Sequence, residues 1–217
     1  MTIVTANSMT RTAAAAMAAL ALATAGCGKF VRDQGRSPAQ VVILSMQGAQ
    51  GNSPTTFGVP LDSDVITNVT SPAPCTNTSP CPTIFNDIGQ VTMQLMLKDP
   101  GQTDSPSSPS ALNQVTFDRY HVEFVRADGK NTQGVDVPFA FDSSATFTVT
   151  NTGTVSEPFE IVRHSAKEEA PLLALQNNAQ IISTIANVTF YGHDQAGNAV
   201  TATGTLTVNF GNFGDKS

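Results

Sequence analysis

Two long segments near the end of the chain, in which apolar and polar residues alternate, constrain the fold most strongly. Apolar or small side chains recur at every second position of each segment, at Ile182, Thr184, Ala186, Val188 and Phe190 and then at Val200, Ala202, Leu206, Val208 and Phe210. Successive side chains of a strand point to opposite faces of a sheet, so this period of two predicts two strands with one buried face each. Turn-forming residues from Tyr191 to Asn198 separate them, and the pair therefore predicts a hairpin.

The same pattern recurs upstream. Strands are predicted at Val91–Leu97, at Val115–Phe124, at Phe139–Val149 and at Phe159–His164, with a short apolar run at Val41–Leu44 that is typical of a strand covered on both faces and a further possible strand at Asp64–Thr70. Between Val115 and Phe124 the apolar phase shifts by one residue at Asp118-Arg119, which predicts a β-bulge. Pro171–Leu175 is compatible with one helical turn or with a corner between sheets. No long helix is predicted after residue 26.

Seven or eight strands separated by turns predict an all-β, antiparallel β-sandwich. Two long segments rich in Gly, Pro, Ser and Thr, at residues 47–86 and 99–112, interrupt the strands. Loops of this length in a compact domain are either functional or mobile, so the first of them is the first place to look for a binding site. Only two aromatic residues, Phe57 and Phe85, lie in these loops, and this lowers the odds of a glycan site.

The turn Asp194-Gln195-Ala196-Gly197-Asn198 resembles the Asp-x-Ala-Gly-Asn turn in the final hairpin of many bacterial immunoglobulin-like domains. The resemblance covers Ile181 to Phe210. It implies an immunoglobulin-like sandwich and says little about a ligand. The chain has no Trp and no cysteine pair placed to join two sheets, so it is not an antibody-type domain.

The beginning of the chain has the pattern of an export signal. Arg11 precedes Ala13–Ala25, a run drawn only from Ala, Met, Leu and Thr. The stretch Ala23-Thr24-Ala25-Gly26-Cys27 resembles a bacterial lipobox, although Thr24 stands where that family prefers a large aliphatic residue. The resemblance implies cleavage before Cys27 and acylation of its thiol, for example with palmitate. The expected organisation is a signal peptide at 1–26, a lipidated tether at 27–39 and one β-sandwich domain at 40–217.

Two other interpretations of this segment stay open. An uncleaved anchor would need about 20 apolar residues, and the run is shorter and rich in alanine. An ordinary signal peptide cut elsewhere would leave Cys27 as a free thiol, and either Met1 or Met9 could be the start. In lipoproteins of two-membrane bacteria a Gly at the position of Gly28 favours the outer membrane. The twelve residues from Gly28 to Ala39 would reach at most about 40 Å.

Three cysteines in an exported chain leave one thiol to explain. Acylation of Cys27 would account for it, and Cys75 and Cys81 would then form a disulfide across the polar loop Thr-Asn-Thr-Ser-Pro. A metal site needs more ligands than this spacing offers, and a redox pair is more usually Cys-x-x-Cys. The disulfide is therefore the preferred interpretation.

Charge bears on the partners. Without residues 1–26 the chain has 10 basic and 17 acidic residues, a net charge of −7. The electric field of this negative net charge repels phosphate backbones, and no cluster of Lys and Arg with interleaved aromatic residues occurs. We therefore expect no nucleic-acid partner.

We predict no catalytic residue, no cofactor and no metal site. His121, His164 and His193 lack metal-ligand spacing, and no Gly-x-Ser-x-Gly motif or phosphate-binding glycine loop occurs. Asp194 and Asn198 could ligate calcium, but an Asx-turn is the preferred role of Asp194. For Asp62 and Asp64, too, a calcium site is the less favoured interpretation. Glu168 and Glu169 are expected to be surface charge.

The leading hypothesis is a non-enzymatic cell-envelope lipoprotein that serves as a structural or adhesive module. The alternatives are a sandwich whose loops bind a glycan or small molecule, and a subunit of an envelope protein complex that docks through an edge strand or an acidic surface. An enzyme is the least favoured class, and no small-molecule substrate can be named.

Overall fold

The computed structural model describes residues 36–214, and a compact unit begins at Ser37. Twelve strands account for about half of this unit: β1 Ala39–Ala49, β2 Leu61–Asp64, β3 Thr67–Val69, β4 Cys81–Thr83, β5 Asp87–Leu97, β6 Gly101–Gln102, β7 Ser105–Pro106, β8 Val115–Val125, β9 Phe141–Val149, β10 Val155–Val162, β11 Ile182–Asp194 and β12 Ala199–Gly211. The helical segments of the described residues are short: the α-helix α1, His164–Lys167, and 3-10 turns at Ala111–Asn113 and Leu172–Leu175. The prediction of an all-β fold is confirmed.

The strands of the described residues form two larger sheets and two small hairpins. The first sheet has the order β1-β5-β10, and the second has the order β2-β12-β11-β8-β9. Every pairing in them is antiparallel except that of β2, which lies parallel to the end of β12. The small hairpins are β3-β4 and β6-β7, and they lie in the two segments that the sequence predicts as long loops.

The inner faces of the two larger sheets share one hydrophobic core. Val91, Met93 and Leu95 of the first sheet are buried in the same cluster as Val188 and Phe190 of the second. Aromatic rings connect the layers: the ring of Tyr120 on β8 lies 5.3 Å from that of Phe159 on β10, and Phe159 lies 5.3 Å from Phe190 in an edge-to-face arrangement. Such pairs add about 1 kcal/mol each to the free energy gained by burial.

Several details of the strand predictions are confirmed. The alternating residues of β5, β11 and β12 are buried on one face, as expected, and β11 pairs with β12 from Ile182–Phe210 to His193–Ala199. The pairing of β8 with β9 shifts register between Phe117 and Arg119, where the sequence predicts a bulge. The shift lets Phe117 and Tyr120, which are out of phase, both point into the core.

Other details are corrected. The run Val41–Leu44 is not covered on both faces: Val41 is buried and Ile43 packs against the core, whereas Leu44 lies on the outer face of the sheet and is 52% exposed. Phe139 lies before β9 and is also exposed, because the strand begins only at Phe141. His164 begins α1 instead of ending a strand. Pro171–Leu175 contains a single 3-10 turn with Leu172 and Leu175 buried.

The strand register defines two ends of this two-sheet body. At the end that we call the hairpin end lie the β11–β12 turn, the first residue of β1 and the first residue of β8, since Val115 pairs with Asp194. Ser37 belongs to this end, because its hydroxyl donates to the Asp194 carboxylate. At the opposite end lie Ala49, β2, the first residue of β5 and the last residues of β12. With strands of up to 13 residues, the two ends are roughly 40 Å apart.

Candidate functional site

A groove lies at the end opposite the hairpin, within the segment 47–86. It encloses about 250 Å³ and is lined by Gly48, Gln50, Ser53, Thr56, Phe57, Gly58, Pro60, Leu61 and Asp62. We call this feature the groove, and the end that carries it the groove end.

Hydrogen bonds fix the groove on both sides. The backbones of Gly48 and Gly58 exchange two bonds of 2.9 Å, which hold the loop against the last residues of β1. The Gln50 amide donates to the backbone carbonyl of Asp62. The carboxylate of Asp62 accepts a bond of 2.9 Å from the Asn209 side chain on β12. The groove is therefore built from the loop and from β2.

The chemistry of the groove suits a small polar molecule. Phe57 supplies an aromatic side chain, and Gln50, Ser53, Thr56 and Asp62 supply amide, hydroxyl and carboxylate groups. Sites for drug-sized ligands usually enclose about 300–1,000 Å³, so this groove fits a single sugar unit or one side chain of a partner. The groove contains neither a nucleophile next to a base nor a pair of converging carboxylates, the arrangements on which acyl transfer and glycoside hydrolysis depend.

A fully buried cluster of charged side chains lies beside β2 at the same end. Lys167 of α1 and Asp87 of β5 form an ion pair with Nζ 2.9 Å from Oδ2, and each side chain is 1% exposed. The hydroxyl of Ser63 on β2 donates to Asp87 Oδ2 at 2.6 Å, and the backbone N–H of Gly51 donates to Oδ1 at 3.0 Å. Lys167 also donates to the backbone carbonyl of Asp64 at 2.8 Å.

This cluster joins elements that are far apart in the chain. It connects the loop after β1, the strand β2, the strand β5 and the helix α1. Burial raises the pKa of the Asp87 carboxyl, and the Lys167 ammonium and the hydrogen bonds from Ser63 and Gly51 offset this only in part. Ser63, Asp87 and Lys167 line neither cavity described here, and no substrate could reach them without opening the body. Their arrangement therefore supports a structural role.

A second depression, of about 260 Å³, lies between the residues before β9 and the segment around α1. Its walls include Phe139, Phe141, Arg163 and Glu169. The guanidinium of Arg163 stacks 3.9 Å from the centroid of the Phe141 ring and donates to the backbone carbonyl of Asp142, so it is already engaged. Ser165 and Glu169 add a hydroxyl and a carboxylate to its lining.

Cys75 and Cys81 form the disulfide that the sequence predicts, with sulfurs 2.08 Å apart and Cα atoms 5.3 Å apart. It closes the loop that leads into β4. Cys27, the predicted lipidation site, lies outside the described residues, as do the predicted signal peptide and most of the predicted tether.

The structure places the other candidate residues in ordinary roles. Asp194 forms the expected Asx-turn: Oδ1 accepts from the backbone N–H groups of Ala196 and Asn198, and Oδ2 accepts from the Asn198 amide. Burial raises the pKa of the Asp194 carboxyl, but these bonds and that from Ser37 outweigh it, so the net pKa is lowered. With these donors on both oxygens, the carboxylate is engaged within its own turn.

The histidines and the remaining acidic candidates do not converge. His121 and His193 lie on the outer face of the second sheet beside Asp142 and Asp118, and His164 is exposed at the start of α1. Asp64 is bound by Thr67 and by the backbone N–H of Phe213. Glu168 and Glu169 are exposed, as expected for surface charge. Between residues 36 and 214 no group of three or more His, Cys, Asp and Glu side chains could hold a metal ion.

Sequence reasoning missed the ion pair between Asp87 and Lys167. Lys167 precedes Glu168 and Glu169, and such a cluster of charges is typical of surface. Asp87 follows Asn86 at the start of a strand, which is a usual place for a polar residue. The available signal was that Lys167 follows the strand residues Phe159, Ile161 and Val162 closely enough for the chain to fold back on them.

Comparison with known proteins gives no match: neither a protein-family model, nor a curated protein, nor a solved structure matches the chain. Among residues 36–214, no helix has the length and apolar character needed to cross a bilayer.

Proposed function

We propose that the chain is a non-enzymatic lipoprotein of the bacterial cell envelope, with an immunoglobulin-like β-sandwich that acts as a structural or adhesive module. The membrane is its first partner, through fatty-acyl groups on Cys27. Gly28 after the anchor favours the outer membrane.

The observation that carries the proposal is the disulfide between Cys75 and Cys81. Disulfides persist in oxidising compartments, which supports export from the cytoplasm. The bond also uses two of the three cysteines, so that Cys27, directly after a predicted signal segment, is the thiol left for acylation. Two sheets, antiparallel except for the pairing of β2, share one core and support the sandwich, and the Asx-turn at Asp194 is consistent with the immunoglobulin-like resemblance.

The intact mass of protein extracted from membranes tests the proposal. We expect the mass of residues 27–217 plus acyl chains, with two hydrogens gained on reduction of the disulfide. The matched control is Cys27→Ser. This variant should lack the acyl mass and be absent from the detergent-extracted fraction, while its disulfide remains. A water-soluble wild-type protein that retains residues 1–26 would contradict the proposal.

The groove favours a second candidate function, which is binding of a glycan or small polar molecule. A ring beside amide, hydroxyl and carboxylate groups is a combination that recognises sugars, since the ring packs against C–H groups while the polar atoms bind hydroxyls. Screening of the purified domain against a glycan array, followed by titration calorimetry, would test it. Phe57→Ala should abolish binding, whereas Phe139→Ala, which removes an exposed ring from the other depression, should not.

Exposed apolar side chains favour a third candidate, a subunit of an envelope protein complex. Val59, Val135, Phe139, Leu173 and Ile181 are each about half exposed or more. All five lie between strands at the groove end, and Leu173 lies within the 3-10 turn Leu172–Leu175. Contiguous exposed apolar patches often mark protein contacts, whereas single exposed apolar residues are common. Co-purification from solubilised envelopes would separate an assembly component from a solitary module.

A further inference from the structure

We propose that the Asp87 carboxylate acts as a clasp for the groove, because it holds both ends of the loop 51–63 and so keeps the groove formed. The clasp consists of Asp87 and its hydrogen bonds to Gly51 and Ser63. Asp87 is a positioning residue in this proposal, since it does not line the groove. The inference rests on the second candidate function, binding in the groove, and it concerns what controls the opening of that site.

The first step is the position of the two bonds. The loop 51–63 begins two residues after the end of β1 and ends within β2. Oδ1 of Asp87 accepts from the backbone N–H of Gly51 at 3.0 Å, and Oδ2 accepts from the Ser63 hydroxyl at 2.6 Å. Seven of the nine residues that line the groove lie between these two points. One carboxylate therefore fixes both ends of the segment that forms most of the groove.

The second step is the close fit at these bonds. A Cβ atom on Gly51 would collide with the backbone oxygen of Asn86 and would lie 2.5 Å from Cβ of Phe85. Only glycine lets the backbone come this close, and the close approach brings the Gly51 N–H to the carboxylate of Asp87. Ser63 is fully buried. The loop is therefore packed against the residues that lead into β5, and the bond from Ser63 is shielded from solvent.

The third step is the anchor of the clasp. Asp87 is the first residue of β5, the strand between β1 and β10 in the first sheet. The Lys167 ammonium lies 2.9 Å from Oδ2, and both side chains are 1% exposed. Hydrogen bonds to an ionised acceptor are about twice as strong as bonds between neutral groups. Other bonds join the loop to β1 and β12, at Gly58 and Asp62. The clasp therefore adds a strong attachment to the middle strand of the first sheet.

Hydrogen exchange of the loop amides, followed by NMR, tests the clasp without a ligand. Ser63→Ala removes the bond from the hydroxyl and Gly51→Ala forces the other bond apart, while the buried ion pair stays complete. The amides of Gly48 and Gly58, which bond each other's carbonyls, report opening of the loop. In each variant we expect them to exchange about tenfold faster or more, because opening no longer breaks one of the hydrogen bonds to a charged group.

Thr184→Val is the matched control, because it removes another buried hydroxyl bond, to the carbonyl of Val208 within the second sheet. It should lower global stability but leave the loop amides at their wild-type exchange rate, since local opening of the loop does not break that bond. An unchanged rate in either folded clasp variant, or an equal increase in the control, would overturn the proposal. Far-ultraviolet circular dichroism checks that each variant folds, and if Gly51→Ala does not, Ser63→Ala alone decides.

A sugar probe separates this proposal from the candidate function. A ligand that binds only the formed groove slows exchange through loop opening by mass action. Methyl glucoside, a single sugar unit, should therefore slow the amides of Gly48 and Gly58 in the wild type. No slowing contradicts binding of a sugar in the groove, whereas the rates without sugar still decide the clasp. Slowing should recur in Ser63→Ala, because Ser63 does not line the groove; its loss there would overturn the positioning role.

Discussion

Removal of the buried lysine gives the sharpest test of the structure. The Lys167→Met variant keeps a long side chain in the same space but leaves the Asp87 carboxylate without its cation. Asp87 would retain hydrogen bonds from Ser63 and Gly51, and the carbonyl of Asp64 would lose its donor. Because breaking one partner of a buried ion pair leaves an uncompensated charge, we expect the free energy of unfolding to fall by about 3–5 kcal/mol at neutral pH.

The pH dependence has a definite sign. The folded-state pKa of Asp87 is raised, so the folded protein binds this proton more tightly than the unfolded chain does. Protonated Asp87 therefore contributes to the free energy of unfolding. This contribution is fully present below the unfolded pKa of about 3.9, and it is lost as the pH rises through the folded pKa. Without Lys167, the attraction that lowers the pKa of Asp87 is gone. The folded pKa is then higher still, and the fall in stability with rising pH continues to a higher pH. The deficit of Lys167→Met should therefore shrink in acid and grow toward neutral pH.

Urea unfolding followed by far-ultraviolet circular dichroism measures the effect, since the chain has no Trp for fluorescence. Lys130→Met is the matched control, because Lys130 is exposed; it should change stability by less than about 0.5 kcal/mol. In the double variant with Asp87→Asn, much of the loss should be recovered, because no buried charge remains. A loss below about 1 kcal/mol for Lys167→Met at neutral pH would refute the reasoning.

Three further predictions can be checked by thermal or urea unfolding. Gly192→Ala should lower the free energy of unfolding by at least about 1–3 kcal/mol, because the new methyl group would collide with the backbone of Thr116 on the paired strand. In the control Gly58→Ala the methyl group meets open space, so stability should hardly change. Asp194→Asn should lower stability by about 1 kcal/mol at neutral pH, and the difference should vanish in acid as the lowered folded pKa of Asp194 is passed; a deficit that persists there would contradict the charged turn. Reduction of the Cys75–Cys81 disulfide should lower the free energy of unfolding by about 2 kcal/mol, because the reduced unfolded chain gains conformational entropy. An unfolding midpoint that does not change with reductant would contradict this.

Much of the fold is predictable because the alternation of apolar and polar residues is a local signal. The buried faces of β5, β11 and β12 follow from it directly, and the bulge in β8 follows from its interruption at Asp118-Arg119. Leu44 shows the limit. An apolar run does not reveal that the outer face of β1 stays uncovered at Leu44, because what packs on a strand depends on distant segments.

The candidate site is less predictable for the same reason. The sequence singles out the segment 47–86 as a region to search, and a groove lies there, but which of its residues face one another depends on contacts such as that of Asp62 with Asn209, 147 positions away. The pair of Asp87 and Lys167 is a further example, since each residue alone is typical of the surface. Their burial follows from how β5, β2 and α1 meet.

The chain enters this body at Ser37, beside the hairpin, and Phe213 lies at the other end against Asp64. Tension applied between these two points would pull β1 and β12 along their own axes. Each strand is held over most of its length by an antiparallel neighbour, β5 for the first and β11 for the second. The backbone hydrogen bonds of each ladder would then be loaded in shear and would break together, not one after another, so single-molecule stretching should meet a high peak force.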